Sequence, residues 1–225
     1  MKELKELLAL EATYKIDEEL LDLFLSESKE INLPPRAAII DSGEYNPNVY
    51  IIKKGLIRGF YQDNKNEKTV GFALPGTILI SYHCYYSHQP SYHRLETLTP
   101  SVLLVIKKSH FDKLINESHQ FALWNLSMLQ NQLYYNEYRD TILTGDAKER
   151  LRQLLKRISL DNSIGNERIF DNNVKKDDQE VLKEVHQRWK KIYKIVPSKV
   201  LASYLGITEV HLSRIKKELF TEQEL

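Results

Sequence analysis

The spacing of apolar and polar residues changes twice along the 225-residue chain. Residues 2–29 carry apolar side chains at intervals of three and four, which predicts amphipathic helix that ends before the prolines at positions 34 and 35. From residue 36 to residue 109, short apolar runs alternate with turn residues, which predicts strands. After residue 109 the helical spacing returns. We therefore expect helix, then sheet, then helix.

Short apolar runs between residues 36 and 109 include VYIIKKG and SVLLVIK, and turn sequences such as DSGEYNPN and DNKNE separate them. Strands at such regular spacing are typical of an antiparallel barrel or jelly roll, and not of a parallel sheet with helices between its strands. The sequence therefore predicts an α+β fold that begins with an antiparallel, jelly-roll-like β-roll.

A long helix is predicted to follow the strands. Over residues 118–142 it would measure about 35–40 Å, at 1.5 Å per residue, which is longer than a small barrel can cover. Its apolar stripe includes Trp124, Leu129, Leu133 and Tyr138. We expect part of this stripe to face a second copy of the chain, as in a short coiled coil.

The segment PSKVLASYLGITEVHLSRIKKELF, residues 197–220, has the side-chain sizes of two helices that cross at a tight turn. Ala202 is small enough for a close crossing, Gly206 can take the positive φ of the turn, and Thr208 is a good N-cap for the second helix. The expected core residues are Leu201, Leu205, Ile207, Leu212 and Ile215. This pattern predicts a helix-turn-helix over 198–205 and 208–220, although other helical hairpins share some of its features.

In a helix-turn-helix the second helix enters the major groove of DNA, with its N-terminal residues nearest the base edges. Arg214 can pair bidentately with guanine, and the hydroxyls at positions 198 and 208 lie at helix N-termini, where phosphates bind. Lys217 supplies a charge contact. The candidate DNA-binding residues are Ser198, Thr208, Glu209, Val210, His211, Ser213, Arg214 and Lys217.

The formal net charge of the chain is only +1, but the charge is distributed unevenly. Residues 1–144 carry a net charge of −3 and residues 145–225 a net charge of +4. The most basic stretch, KEVHQRWKKIYKIVPSK at 183–199, contains six Lys or Arg residues and one Glu. Such a run is either a solvated helix face or part of a nucleic-acid footprint, and the charge alone does not decide between them.

Cysteine usage and hydropathy indicate the compartment. Cys84 is the only cysteine, which excludes a disulfide framework and cysteine-rich zinc or iron–sulfur sites. No apolar run approaches the roughly 20 residues that span a bilayer, and the acidic N-terminal segment does not resemble a signal peptide. These features predict a cytoplasmic protein that does not insert into a membrane.

Four segments together resemble a known family. They are SGEYNPNVYIIKKGLIRGFY (42–61), FALPGTILI (72–80), DAKERLRQLL (146–155) and IVPSKVLASYLGITEVHLSRIKK (195–217). In this order the chain resembles the Crp/Fnr transcription regulators. The resemblance implies a homodimer with a cyclic-nucleotide-binding-type sensory domain over 1–116, a dimerisation helix over 117–144 and a helix-turn-helix DNA-binding domain over 145–225. It also implies RNA polymerase as a partner.

The chain departs from the family where members bind cyclic AMP. Those members carry a Gly-Glu pair and, some ten residues later, an Arg-Ser or Arg-Thr pair, and residues 77–98 contain neither. The nearest analogues are Ile80-Ser81 and Pro90-Ser91. Without an arginine aimed into the pocket, a buried cyclic phosphate would lack its charge partner. We therefore expect no cyclic AMP binding. The candidate effector pocket for another small ligand is Ser81, Tyr82, Ser91 and Tyr92, and an ordinary surface loop is the alternative.

Two further departures lie in the C-terminal part. An insertion near 159–192 separates the segments that resemble the family there. The β-hairpin wing that the family adds after the second helix is expected to be missing, because only five residues follow Phe220.

The histidines at 83, 88 and 93 raise the alternative of a metalloenzyme, because some jelly rolls bind metal. A cupin-type site uses a His-x-His pair on one strand, whereas a spacing of five puts successive histidines on opposite faces. Haem sensing, known in the family, needs fewer ligands and stays open. We predict that the chain is not an enzyme, and the sequence identifies no cofactor.

The sequence thus predicts a cytoplasmic, homodimeric, sequence-specific DNA-binding transcription regulator of Crp/Fnr type. Its expected partners are double-stranded DNA, a second copy of itself, RNA polymerase and an unidentified small-molecule effector that is not cyclic AMP. The alternative is a signalling or adaptor protein that keeps the fold and does not bind DNA.

Overall fold

Eight strands form two four-stranded antiparallel sheets in the computed structural model, which describes residues 2–10, 13–63, 66–161 and 195–221. The strands are β1 (Lys29–Leu33), β2 (Ala38–Ile40), β3 (Val49–Lys54), β4 (Ile57–Asp63), β5 (Asn66–Ala73), β6 (Ile78–Ile80), β7 (Arg94–Thr97) and β8 (Ser101–Ile106). One sheet has the order β1-β8-β3-β6 and the other β2-β7-β4-β5. The predicted antiparallel β-roll is confirmed.

Strand β3 lies at the centre of the packing, because both of its faces are buried. Side chains alternate along a strand, so Val49 and Ile51 leave one face of β3 and Tyr50 and Ile52 leave the other. Val49 and Ile51 belong to a core that includes helical residues, whereas Tyr50 and Ile52 pack with residues of the second sheet such as Ile57. This strand therefore joins two cores.

Helices cover the outer face of this sheet. They are α1 (Lys2–Leu10), α2 (Glu18–Ser26), α4 (Lys108–Glu117) and the first part of α5 (His119–Thr144), and a single-turn helix α3 (Tyr82–Tyr86) follows β6. Phe24 is fully buried, and its ring centroid lies 5.2–5.6 Å from those of Phe111, Phe121 and Trp124. The Trp124 indole N–H donates to the Leu8 carbonyl at 3.2 Å, which ties α1 to α5.

Three elements differ from the sequence prediction. The segment KEINL, predicted as the end of a helix, forms β1 and pairs with β8 from Lys29↔Val105 to Leu33↔Ser101. The helix predicted from residue 109 onward is interrupted at Ser118. Residues 82–86 form a helical turn where strand and loop were expected. β1 and the turn at 82–86 are each only five residues long, so their hydrophobic period does not distinguish helix from strand.

The chain divides into two compact units, Met1–Asn136 and Glu137–Leu225. The second unit holds the end of α5, then α6 (Ala147–Asp161), α7 (Ser198–Leu205) and α8 (Glu209–Thr221). Its buried apolar residues come from all four helices and include Ile142, Leu151, Leu154, Leu201, Leu205, Leu212 and Ile215. The insertion predicted near 159–192 lies almost wholly outside the described residues.

The apolar stripe of α5 is divided between core and surface. Trp124, which belongs to the predicted stripe, is fully buried in the core of the first unit. Leu126 and Leu133 are 45% and 60% exposed, seven residues apart and hence on one helix face. The leucines of this face therefore have no apolar cover within the described chain. None of the helices in the described ranges is long and apolar enough to cross a membrane.

Candidate functional site

The turn between α7 and α8 is fixed by backbone hydrogen bonds. Gly206 adopts φ +66°, a left-handed conformation that glycine takes without a steric penalty. The N–H of Ile207 donates to the Ala202 carbonyl at 3.0 Å, and the N–H of Gly206 donates to the Ser203 carbonyl at 3.3 Å. These two bonds form a Schellman motif, which satisfies carbonyls at the end of α7. The predicted role of Gly206 is confirmed.

Thr208 caps the second helix. Its side-chain Oγ1 accepts a hydrogen bond from the His211 N–H at 3.2 Å, and its carbonyl accepts one from the Leu212 N–H at 2.9 Å. A side-chain oxygen in this position satisfies one of the four N–H groups that a helix start leaves unpaired. The N-cap predicted from the sequence is confirmed, and α8 begins at Glu209.

Arg150 on α6 positions the α7–α8 turn through hydrogen bonds to backbone carbonyls. Its Nη1 donates to the Leu205 carbonyl at 3.1 Å, and its Nε donates to the Gly145 carbonyl at 2.7 Å. The Leu205 carbonyl is one of the last in α7 and has no partner within that helix. Sequence reasoning missed this residue, because Arg150 and Leu205 are 55 positions apart. The position of the turn therefore depends on α6 as well as on α7 and α8.

The predicted core of the helix pair is largely confirmed. Leu201, Leu205, Leu212 and Ile215 are buried, and Ala202 is 2% exposed where the helices cross. Ile207, which was predicted to lie in this core, is only partly buried. Because these apolar residues occupy one side of α8, the other side of the helix faces outward.

The outward side of α8 presents most of the predicted DNA-binding residues together. Glu209, Val210, Ser213, Arg214 and Lys217 line one continuous surface. Thr208 and, at the first position of α7, Ser198 are exposed, while His211 is half-buried. The structure thus places seven of the eight predicted residues on the exposed surface of the helix pair.

The electrostatics of this surface combine both signs of charge. The Arg214 Nε lies 3.9 Å from the Glu218 carboxylate, one turn along, and both side chains are more than half exposed. At that distance and exposure the pair adds little stability, so Arg214 can exchange it for another acceptor. Partial burial lowers the pKa of the neighbouring Lys216 to about 8. Near pH 8, therefore, Lys216 carries only part of a positive charge.

The candidate effector pocket is only partly assembled. Ser81 and Ser91 meet, since the Ser81 hydroxyl donates to Ser91 Oγ at 3.0 Å and the Ser91 hydroxyl donates to the His93 carbonyl at 2.9 Å. Both serines are buried. Tyr82 and Tyr92 are 40% and 65% exposed instead. The hydroxyl protons of the two serines are therefore both donated within the protein, and the two tyrosines lie at the surface.

The loop at residues 43–46 covers the serine pair. The Gly43 N–H donates to the Ser91 carbonyl at 2.8 Å, and the Ser91 N–H donates to the Glu44 carbonyl at 2.9 Å. The buried Cys84 thiol also approaches the Glu44 carbonyl, at 3.5 Å. Every polar backbone and side-chain group of Ser91 is thus bonded within the protein. No donor of Ser91 is left over for a ligand unless this loop moves.

Two arginines of the β-roll are matched by carboxylates. Arg58 donates through Nε and Nη2 to Glu96 Oε1 at 3.1 and 3.0 Å, and its Nη2 lies 2.9 Å from Glu67. Arg94 bonds to Asp41 at 2.9 Å, and its Nε lies 3.3 Å from Glu96. Arg58 and Glu96 are directly opposite each other on β4 and β7, and both are buried. Two positive charges thus face three negative ones.

Aromatic side chains of the segment 82–93 pack against one another. The rings of Tyr82 and Tyr86 are nearly parallel, with centroids 6.3 Å apart, and the His83 and Tyr92 ring centroids are 4.1 Å apart. Although Tyr82 is 40% exposed, partial desolvation raises its pKa. Burial, and then the neighbouring His83, lowers the pKa of His93. These shifts favour neutral side chains. In the part of the chain that the structure describes, no group of three His, Cys, Asp or Glu side chains is arranged to hold a metal ion.

Comparison with known proteins agrees with this architecture. Residues 30–118 match the family model of the cyclic nucleotide-binding domain. No curated protein sequence matches the chain significantly.

Solved structures of Crp/Fnr-family regulators share the fold. A double mutant of CooA from Carboxydothermus hydrogenoformans has a TM-score of 0.63 at 17% identity, covering 92% of this chain and 86% of CooA. The c-di-GMP responsive global regulator CLP from Xanthomonas campestris has a TM-score of 0.60 at 17% identity, covering 92% and 93%. FixK2 from Bradyrhizobium japonicum has a TM-score of 0.59 at 16% identity, covering 87% and 85%. At such low identity the similarity establishes a common fold.

The buried charge cluster leads to a stability prediction. Glu96→Gln removes the carboxylate that contacts both arginines, and we expect it to lower the free energy of unfolding by roughly 2–4 kcal/mol, because Arg58 keeps only Glu67 as a partner. Glu30→Gln is the matched control, since Glu30 pairs with Lys53 at 2.7 Å on the surface and should contribute less than about 1 kcal/mol. Urea unfolding in a Trp189→Phe background, followed by Trp124 fluorescence, measures both. Equal losses in the two variants would contradict the assigned role of Glu96.

Proposed function

We propose that the chain is a sequence-specific DNA-binding transcription regulator of Crp/Fnr type, which acts as a homodimer in the cytoplasm with RNA polymerase as a partner. The observation that carries this proposal is the outward face of α8. Glu209, Val210, Ser213, Arg214 and Lys217 share one surface on a helix whose opposite side buries Leu212 and Ile215. A second helix held rigidly by its predecessor, with its polar face exposed, is what major-groove reading requires.

The proposed DNA contacts of this surface are of two kinds, contacts to base edges and contacts to the phosphate backbone. Arg214 presents a planar fork that matches the O6 and N7 acceptors of guanine. The Thr208 hydroxyl accepts the His211 N–H and keeps its own proton as a donor, so it can also bind a phosphate oxygen. Ser198, at the start of α7, supplies a second hydroxyl at a helix N-terminus. Lys217 contributes a charge contact to the backbone. His211 is half-buried and adds a polar edge beside Ser213.

In a dimer, the second copy of the chain provides a second recognition helix for the other DNA half-site. In a helix-turn-helix dimer, two recognition helices bind half-sites one helical turn apart, about 34–36 Å. The exposed Leu126 and Leu133 on α5 form the surface that a second copy would cover, with Leu129 partly exposed between them. Removal of these side chains from water favours association.

The effector, if the β-roll takes one, is not cyclic AMP. A buried cyclic phosphate needs a cation that is available to it, and Arg58 and Arg94 are already paired with three carboxylates. Addition of a further negative charge beside Glu67, Glu96 and Asp41 would be repulsive. By the sequence resemblance, Ile80-Ser81 corresponds to the Gly-Glu pair and Pro90-Ser91 to the Arg-Ser pair, so a proline takes the place of the arginine, and the Ser81 hydroxyl donates to Ser91. A different small molecule, bound at Ser81, Tyr82, Ser91 and Tyr92, would have to displace that hydrogen bond.

DNA binding is tested with duplexes selected from a random pool by the full chain. We expect Arg214→Ala to weaken binding to the selected duplex by about 1–3 kcal/mol and to relax the preference at one base pair, while affinity for a scrambled duplex changes much less. Arg152→Ala is the control, because it removes the same charge from an exposed position on α6. Fluorescence anisotropy across a salt series gives both affinities. A dimer that shows no salt-dependent DNA binding would favour the alternative, an adaptor protein.

The dimer surface is tested by replacing exposed leucines of α5 with aspartate. We expect wild type to be dimeric at tens of micromolar and Leu126→Asp/Leu133→Asp to be monomeric, because four leucines per dimer would each lose about 1.5–3 kcal/mol. The dissociation constant should rise by more than about a thousandfold. Leu23→Asp, at an equally exposed leucine on α2, should stay dimeric. Size-exclusion chromatography with light scattering measures the mass, and a monomeric wild type would contradict the proposal.

Cyclic AMP binding is tested by thermal shift. A ligand at about 100 times its dissociation constant stabilises a protein by roughly 2.7 kcal/mol, which is readily visible. We expect no shift with millimolar cyclic AMP. We expect the same with c-di-GMP, to which CLP is described as responsive, because its two phosphates need free cations as well. A saturable rise in melting temperature with either nucleotide would overturn this part of the proposal.

A further inference from the structure

Val210, the second residue of α8, is apolar but lies on the surface of the protein. Val210 is 81% exposed, the highest value among the exposed large apolar residues of the described chain, where Tyr92 follows at 65%. It makes no contribution to the core that Leu212 and Ile215 form. A β-branched residue also has a lower helix propensity than alanine, because its χ1 is restricted against the preceding turn. Neither packing nor helix propensity therefore accounts for valine here.

The neighbours of Val210 indicate which part of DNA this end of α8 meets. Glu209 precedes it at the first helical position, and its carboxylate is exposed. A carboxylate repels phosphate, and valine has no donor for it. The two exposed side chains in the first turn are thus unsuited to the sugar–phosphate backbone, whereas both are suited to base edges. We conclude that this turn faces the floor of the groove.

Val210 and Arg214 are four residues apart, so their side chains are neighbours on one helix face, about 5–6 Å apart at Cβ. Base pairs are stacked about 3.4 Å apart. Two side chains at this separation therefore reach base pairs that are one or two steps apart in the same half-site.

Only one group on the base edges of the major groove is apolar, the C5-methyl of thymine. We propose that Val210 contacts this methyl group and so selects thymine one or two base pairs from the guanine that Arg214 reads. This inference rests on the proposed function and adds to it a second specificity-determining residue. The half-site should then contain a thymine whose methyl group, and not its hydrogen-bonding edge, determines affinity.

The experiment replaces each thymine of the selected duplex in turn by 2′-deoxyuridine, which removes the methyl group and keeps every donor and acceptor. We expect one position per half-site at which wild-type affinity falls about fourfold, the value of one buried methyl-sized group. With Val210→Ala, which removes both γ-methyl groups, most of the difference between thymine and deoxyuridine at that position should be lost. Val210→Thr, which keeps one methyl, should retain most of the difference. Both substitutions are at an exposed site, and alanine is the better helix former, so folding is preserved.

The outcomes separate this inference from the function on which it rests. A thymine effect that survives Val210→Ala overturns the role of Val210, and so does the absence of any thymine effect, while Arg214→Ala still relaxes specificity and the DNA-binding function stands. If the pool yields no duplex bound more tightly than scrambled DNA, then the function and the inference both fail.

Discussion

Burial of β3 on both faces is the constraint on which the first unit depends. A strand with one apolar face can belong to a two-layer sandwich, but β3 packs against the second sheet with Tyr50 and Ile52 and against helices with Val49 and Ile51. The helices are therefore part of the fold of the β-roll and not an addition to it. Phe24 reinforces this arrangement, since its ring touches residues of both α4 and α5. Any change that tilts β3 would disturb both cores together.

Most of the buried charged and hydroxyl groups of the β-roll are directed toward one another, although the buried Arg94 Nε has only the ion pair with Glu96 and no hydrogen bond. Arg58, Arg94 and three carboxylates form one cluster, and Ser81 and Ser91 form a hydrogen-bonded pair beneath the loop at 43–46. A pocket for an anion needs the opposite arrangement, in which donors remain unpaired until the ligand arrives. Buried polar groups without partners cost free energy, so these internal pairs offset part of the cost of burying Arg58 and the two serines.

Features that depend on a few neighbouring residues could be predicted from the sequence, whereas contacts between residues far apart in the chain could not. The turn at Gly206 and the cap at Thr208 act within a few residues, so residue type alone predicted them correctly. The regular spacing of apolar runs likewise predicted the β-roll. By contrast, the Arg58–Glu96 pair joins positions 38 apart and the Arg150 clamp joins positions 55 apart. β1 was missed because five residues with two apolar side chains fit either period, and only its pairing with β8 makes it a strand. The stripe of α5 was predicted to lie partly outside its own domain, but its spacing did not show which residues, such as Trp124, the core would bury.

The residues that stabilise the second unit differ from those that form the exposed face of α8. The Schellman turn, the Thr208 cap, the Arg150 clamp and the buried Leu212 and Ile215 position α8 without help from its outward face. Substitutions on that face therefore change little in the free energy of unfolding, since exposed positions away from caps and cores are usually worth less than about 0.5 kcal/mol. The scaffold fixes where the side chains of α8 point, and their identities then determine what the helix can contact. A face organised in this way tolerates substitution well, because no packing has to be rebuilt.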